Sequence, residues 1–262
     1  MKLENKYQGI IFDMDGTLYR GDEIIPGAAE VISRLRALGH SLLFVTNKTT
    51  NSSADYVAFL RRHGFEINES EIITATDVIC DYLESNYKSR KFFAIGEQSF
   101  IDEITKRGLK YSENKEEIEI VIVTLDRELT LRKLEIAAHS IERGARFLAA
   151  NIDDTCPVEG DEIWDAGSTI AALEKRTHRK LEMHFGKPSQ FMIDKMFSKL
   201  NVPKEKLLLV GDRLETDITM ANAAGISSAL VRTGVKNDLH NNSVVQPDYV
   251  INSVADLLKE IK

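Results

Sequence analysis

Cysteine is nearly absent: Cys80 and Cys156 are the two in 262 residues, far apart and with no C-x-x-C pair. That excludes a disulfide framework and a thiolate zinc site, and both are read as reduced thiols. Basic residues are also in the minority. Thirty-four Lys plus Arg against 41 Asp plus Glu leave a formal net charge of −7, a field that repels polyanions, so nucleic acid is not an expected partner. No stretch approaches about 18 uninterrupted apolar residues, so no membrane span is expected. The opening MKLENKYQG is polar and runs straight into the first apolar segment, which predicts no signal peptide and a cytoplasmic location. His40, His63, His139, His178, His184 and His240 show no metal-ligand spacing and are read as structural or surface residues. No internal repeat is visible.

What is present is an ordinary globular composition, 43% hydrophobic and 29% charged, in a chain long enough for one to two domains. Short β-branched and aromatic runs alternate with stretches of helical period, the mark of an α/β protein with a largely parallel sheet. The first strand is GIIF at 9–12. A helix over 28–38 puts Ala28, Val31, Ile32, Leu35 and Leu38 on one face and stops at Gly39. A strand at 41–46 follows, then a helix capped by Ser52 or Ser53 and another capped by Thr76 and running toward Tyr87. From about residue 88 the pattern restarts as a unit of its own: strand 91–95, helix 99–107, strand 120–125, helix 130–143, strand 146–150. A loop over 151–167 leads to a helix through Ala171 and Leu173. GKPS, Gly186 to Ser189, then opens a further helix. Strand 207–210, helix 216–224, strands 228–231 and 249–251 and a terminal helix from Ser253 complete the chain. The expected fold is thus a Rossmann-like parallel-sheet core formed by residues 1–80 and 184–262, with a smaller α/β unit of residues 81–183 inserted in it.

The chemistry gathers where strands end. DMDGT, Asp13 to Thr17, follows an apolar strand, at the edge where the loops of a parallel sheet converge on ligands. Positions two apart in an extended segment face the same side, so Asp13 and Asp15 bring two like charges to one small volume. A hard divalent cation resolves the conflict, and magnesium calls for a further acid at another strand end. Asp212 of GDRLETD supplies it after the apolar LLLV. Thr46 and Asn47 end the second strand with hydroxyl and amide groups, and Lys187 offers a cation at a helix start.

The order DxDxT, strand-terminal Thr-Asn, Lys, then GDxxxxD resembles the haloacid dehalogenase superfamily over nearly the whole chain. Twenty-eight residues separate Thr17 from Thr46 and 140 separate Thr46 from Lys187, which places the inserted cap between the second and third motifs. With TLDRELTLRKLEIAAHSIERGARFLAANIDDTCP and DAGSTIAALE inside it, the chain is similar to subfamily IIA, the branch of NagD-like, AraL-like and p-nitrophenyl phosphatases. The resemblance implies a phosphatase in which Asp13 is the nucleophile that becomes an aspartyl phosphate. Asp15 is then the general acid and base. Mg²⁺ is held by Asp13, the Asp15 backbone carbonyl and Asp212, with Asp217 bracing that shell, while Thr46, Asn47 and Lys187 hold the phosphoryl oxygens. An acid at Asp15 also argues against a dehalogenase, whose branch lacks one there. The partner it implies is a small phosphorylated metabolite, a phosphosugar first, and caps of this branch often pair to form dimers. A phosphotransferase or mutase using the same intermediate, or a phospho-Asp regulatory module, are the alternatives. The long insert and the Asp15 acid oppose the regulatory module.

The chain departs from the pattern at two places. Lys48 follows Asn47 where a neutral amide is common; it either favours an anionic substrate or points to solvent. Trp164-Asp165-Ala166-Gly167-Ser168 stands where a Pro-Gly-Ala-Gly-Ser stretch is more frequent, so the resemblance leaves the shape of the leaving-group pocket open. Asn151, Asp153 and Asp154 match a family region over the active site and are either candidate substrate contacts or capping and turn residues. Trp164 is read either as a substrate-stacking ring on a loop or as cap core. Arg213 and Glu215 either tune Asp212 or pair with each other.

Overall fold

The computed structural model describes residues 6–158, 161–235, 237 and 245–259; His240 lies outside them. The chain opens with β1 (Gly9–Asp13), a short antiparallel pair β2 (Tyr19–Arg20) and β3 (Glu23–Ile24), α1 (Ala28–Ala37), β4 (Ser41–Thr46), α2 (Ser53–Arg62), β5 (Ile72–Thr74) and α3 (Ala75–Asn86). It continues through β6 (Lys91–Ile95), α4 (Gln98–Lys106), β7 (Lys110–Tyr111), β8 (Ile120–Val123), α5 (Leu131–Glu142) and β9 (Arg146–Ala149). Next come the hairpin β10 (Thr155–Val158) and β11 (Asp161–Trp164), α6 (Ala166–Thr177) and β12 (Met183–His184). The last part is α7 (Gln190–Lys199), β13 (Leu207–Gly211), a π-helical turn over Leu214–Ile218, α8 (Thr219–Ala224), β14 (Ser227–Val231), β15 (Tyr249–Ile251) and a 3₁₀ turn, Val254–Leu258.

Two parallel sheets result. One has the order β15-β14-β13-β1-β4-β5, the other β12-β9-β8-β6-β7. In the first, β1 pairs with both β4 and β13, so the chain winds outward in two directions from it. That is the switch point where the carboxyl ends of parallel strands leave a crevice.

Alternation along the strands distributes the core. Ile11, Leu43 and Leu209 turn to one side and join Phe92, Ile120, Ile122 and Leu148 of the second sheet, together with residues of α3, α4 and α7, in a continuous apolar cluster. Ile10, Phe12, Leu42 and Phe44 face the opposite way, onto α1 and α2. Phe93, Val121, Val123 and Phe147 form the outer face of the second sheet, under α5 and α6. Both faces of each sheet are therefore covered, as parallel strands require.

Four local expectations are corrected. Thr74, not Thr76, caps α3: its hydroxyl accepts the Asp77 N–H at 3.0 Å and the Asp77 carboxylate accepts the Thr74 N–H at 3.0 Å, a reciprocal box that leaves Thr76 inside the first turn. Residues 151–167 are not one loop but carry the β10–β11 hairpin. The helix expected from 216 begins with a π-helical turn, because the Asp217 and Ile218 N–H groups both reach back to the Arg213 carbonyl. The terminal helix is a short 3₁₀ turn capped by Ser253. Among the described residues no helix is long and apolar enough to cross a membrane.

Candidate active site

At the end of β1, Asp13 is buried, and its carboxylate accepts a hydrogen bond from Thr17 Oγ1 at 3.1 Å and pairs with the Lys187 ammonium. The same ammonium pairs with Asp217 at 2.7 Å. Asp217 turns back toward the end of β13, where its Oδ2 accepts the N–H groups of Asp212 and Arg213, each at 3.1 Å. The wide π-helical turn makes that return possible. Asp212 is fixed from the other side by the Val235 N–H at 2.9 Å, and its carbonyl accepts Asn237 Nδ2 at 2.7 Å. Backbone presses on both acids: a Cβ at Gly211 would collide with the Asp217 carboxyl, and one at Gly234 with that of Asp212.

Asp13, Asp212 and Asp217 present carboxylate oxygens within 4.8 Å of one another. Three buried acids share one lysine, so their charge is not balanced. Burial, relieved by Lys187 and reinforced by Asp217, pushes the Asp13 carboxyl up to about 7. Burial together with the charges of Asp13 and Asp217 pushes Asp212 well above the ordinary carboxylate range. Burial works against the charge of Lys187, but Asp13 and Asp217 outweigh it and hold the ammonium protonated. A donor set made of carboxylate oxygens and short of positive charge fits a hard divalent cation. Asp13 and Asp212 are placed to hold it, with Asp217 fixing the loop that carries Asp212.

Asp15 lies at the mouth of this cluster, its carboxylate accepting the Gly21 N–H at 3.3 Å and paired with Lys48. Burial disfavours the Lys48 charge, yet Asp15 outweighs that and raises the ammonium above its ordinary value. Lys48 therefore points inward rather than to solvent. Thr46 is buried, with its hydroxyl accepting the Lys48 N–H at 3.1 Å. Asn47 is occupied as a brace. Its Oδ1 accepts the Lys187 N–H at 2.6 Å, and its Nδ2 donates to the Lys187 carbonyl at 3.2 Å and to Asp153 Oδ2 at 2.8 Å.

Over these groups lies a cavity walled on the far side by Leu125, Asn151, Asp153, Thr155, Cys156 and Asp165. Asn151 organises that wall, donating to Asp153 at 3.2 Å and Asp165 at 3.1 Å while accepting from Thr124 at 2.9 Å. Asp165 also caps α6, and burial with the nearby Asp153 charge raises its carboxyl to about 6. Arg213 does not pair with Glu215. It crosses to this wall, donating to the Thr155 carbonyl at 3.2 Å and lying 4.0 Å from Asp153.

Asp154 and Trp164 are not among the lining residues. Asp154 is exposed, and its carbonyl accepts from Ser168 and the Asp165 N–H. Trp164 is 60% exposed at the end of β11, not on a loop and not in the core, and its indole N–H donates to Thr169 at 2.9 Å. Thr17, Asp165, Val235 and Asn237 were not singled out from the sequence as site residues. Thr17 and Asp165 stand inside motifs already noted, whereas nothing local marks Val235 or Asn237.

Residues 10–110 match the family of haloacid dehalogenase-like hydrolases, and residues 184–257 match a second family of HAD-like hydrolases. The sugar-phosphatase AraL of Bacillus subtilis is 32% identical over 96% of this chain and 92% of its own length. The crystal structure of a 4-nitrophenylphosphatase from Thermotoga maritima superposes with a TM-score of 0.89 at 30% identity, covering 100% of both chains. A glycerol phosphate phosphatase from Mycobacterium tuberculosis, solved in complex with magnesium, gives a TM-score of 0.87 at 28% identity over 99% of this chain and 79% of its own. With acids and lysine assembled at the β1 switch point, the chain belongs to the haloacid dehalogenase-like hydrolases. Within them it is a phosphatase of the NagD- and AraL-like branch.

Proposed function

We propose that the protein is a Mg²⁺-dependent phosphatase of small phosphorylated metabolites, sugar phosphates among them, acting in the cytoplasm through an aspartyl phosphate. The observation that carries this reading is the position of Asp13: a buried carboxylate at a strand end, oriented by Thr17 and Lys187 and within 4.8 Å of two further acids.

A divalent cation bound there offsets negative charge as the phosphoryl group approaches the carboxylates. Asp13 attacks phosphorus, the P–O ester bond breaks, and Asp15 gives its proton to the departing alkoxide. Water then attacks the aspartyl phosphate while Asp15 takes a proton from it, and phosphate leaves with the Asp13 carboxylate restored. Lys187 and Thr46 hold phosphoryl oxygens. Asn47 keeps Lys187 in place by clamping both its N–H and its carbonyl. The wall of Asn151, Asp153 and Asp165 acts as the cap, contacting the leaving group and excluding water.

The test is phosphate release from p-nitrophenyl phosphate and a sugar-phosphate panel, with Mg²⁺ and with chelator. Release that chelator stops and Mg²⁺ restores supports the reading; release indifferent to chelator overturns the metal requirement. Acid quench during turnover is expected to trap a hydroxylamine-sensitive acyl phosphate, absent in Asp13→Asn. Phosphate delivered to an added sugar faster than to water would identify a phosphotransferase instead.

A further inference from the structure

Two buried hydroxyls meet on the seam between the sheets, and the phosphoryl chemistry uses neither. Thr49 lies three residues past the end of β4, Thr124 directly after β8, and both are buried. Their Oγ1 atoms are 2.5 Å apart, and Thr124 Oγ1 is 2.9 Å from Asn151 Oδ1. Asn151 is itself buried, so bulk water does not choose which end of its amide faces which neighbour.

The direction of these bonds follows from what each group can donate. The Asp153 and Asp165 carboxylates accept the Nδ2 protons of Asn151, which leaves Oδ1 turned to Thr124. A threonine hydroxyl has one proton, and that of Thr124 goes to this oxygen. The proton between the two threonines therefore comes from Thr49, and the chain runs one way: Thr49 to Thr124, Thr124 to Asn151, Asn151 to the two carboxylates. Gly96 keeps Thr124 in the rotamer this needs. A Cβ there would come within 2.7 Å of Thr124 Cγ2, so the methyl fills that space and the hydroxyl is left facing Thr49. Asp153 is also braced from the first sheet by Asn47, whereas Asp165 takes its donors from Asn151 and from the Ala166 N–H of its own helix. Without the relay the amide is free to turn its oxygen toward that carboxylate, which sets two acceptors against each other.

We propose that Thr49 and Thr124 are positioning residues whose hydroxyls form a one-way relay from the Thr46-Asn47-Lys48 loop to Asn151. The relay fixes which end of the Asn151 amide meets the wall carboxylates, and through it how the cavity receives hydroxyls of the leaving group. This rests on the phosphatase reading above and deepens it.

The test compares the wild type, Thr124→Val, Thr124→Ser, Thr49→Val and the double valine variant. Substrates are glucose 6-phosphate, ribose 5-phosphate and glycerol 3-phosphate, with p-nitrophenyl phosphate as the reference whose leaving group carries no other hydroxyl. The reading is kcat/KM for the best of the three esters divided by that for the reference. One buried hydrogen bond corresponds to about a fivefold change in that ratio. Thr124→Val is expected to lose that much, through KM and with kcat within about twofold of wild type, while Thr124→Ser keeps the hydroxyl and the ratio. Thr49→Val has a smaller effect, because Thr124 retains its proton for Asn151, and it adds nothing in the Thr124→Val background. An unchanged ratio in Thr124→Val, an equal loss on every substrate, or additive valine effects overturns the proposal, and so does a serine variant that behaves like valine. A wild type that cleaves p-nitrophenyl phosphate but none of the three esters overturns the relay's role and leaves the phosphatase reading standing. Failure to cleave all four overturns both.

Discussion

Both sheets send acids into the same cavity, and they hold them in opposite ways. At the end of the first sheet, Asp13, Asp212 and Asp217 crowd within 4.8 Å around one lysine. At the end of the second, Asp153 and Asp165 are separated by the Asn151 amide, which donates to both. The first arrangement is unbalanced in charge and suits a cation and a phosphoryl group. The second is a hydrogen-bond network that suits neutral polar atoms. On the proposed reading, reaction and selection are divided between strand ends of different electrostatic character, with Asn47 and Arg213 both reaching Asp153 across the cavity.

The sharpest way to break this division is Asp13→Asn, which removes the proposed nucleophile. Turnover of p-nitrophenyl phosphate is expected to fall by at least about 10⁴-fold while the thermal midpoint is retained; appreciable residual turnover would move the reaction elsewhere in the cavity. Next comes Lys187→Met. Leaving Asp13 and Asp217 without their buried partner should cost about 3–5 kcal/mol in metal-free urea unfolding. Millimolar Mg²⁺ should return part of that loss, since a cation can replace the missing charge; equal stability with and without Mg²⁺ would deny the first cluster its cation.

Asp165→Asn probes the other side. The Asp165 carboxyl is raised from an ordinary carboxylate value to about 6 in the fold, so its protonated form is favoured there. Its contribution to stability is then fully present at low pH and is lost as pH rises through about 6. The variant should be more stable than the wild type by about 3 kcal/mol at pH 8, with the gain vanishing toward pH 4. A pH-independent difference in denaturation midpoints would show that Asp165 is not held against its charge. Smallest of all is Trp164→Ala. With the ring mostly in solvent, it should cost less than about 1 kcal/mol and leave KM for the substrate panel unchanged; a KM shift would bring the indole into substrate contact.

Much of the first sheet's end was legible because strand and acid adjoin in sequence: GIIF runs into Asp13 and LLLV into Asp212, and parallel topology brings such ends together. The second sheet's end was legible only in part: Asn151 and Asp153 stand out as candidates and do line the cavity, but β12 has two residues, too few to display a period. β10 and β11 are recognised by their pairing of Thr155 with Trp164 and Cys156 with Ile163, which is a property of two segments rather than one. The pairing of Lys48 with Asp15 spans 33 positions, and the anchoring of Asp212 by Asn237 spans 25; no local pattern encodes either. Trp164 misled for a related reason, since its exposure depends on which face of the hairpin it occupies.

Gly211 and Gly234 carry no chemistry, yet each lies flush against a carboxylate that does. Mutational tolerance around the reaction centre is accordingly set by shape as much as by function. A substitution map of this protein should be as empty at those two glycines as at the acids they border, while Lys48 and the hairpin behind it stay open to change. Drift in substrate preference has room on one wall of the cavity and almost none on the other.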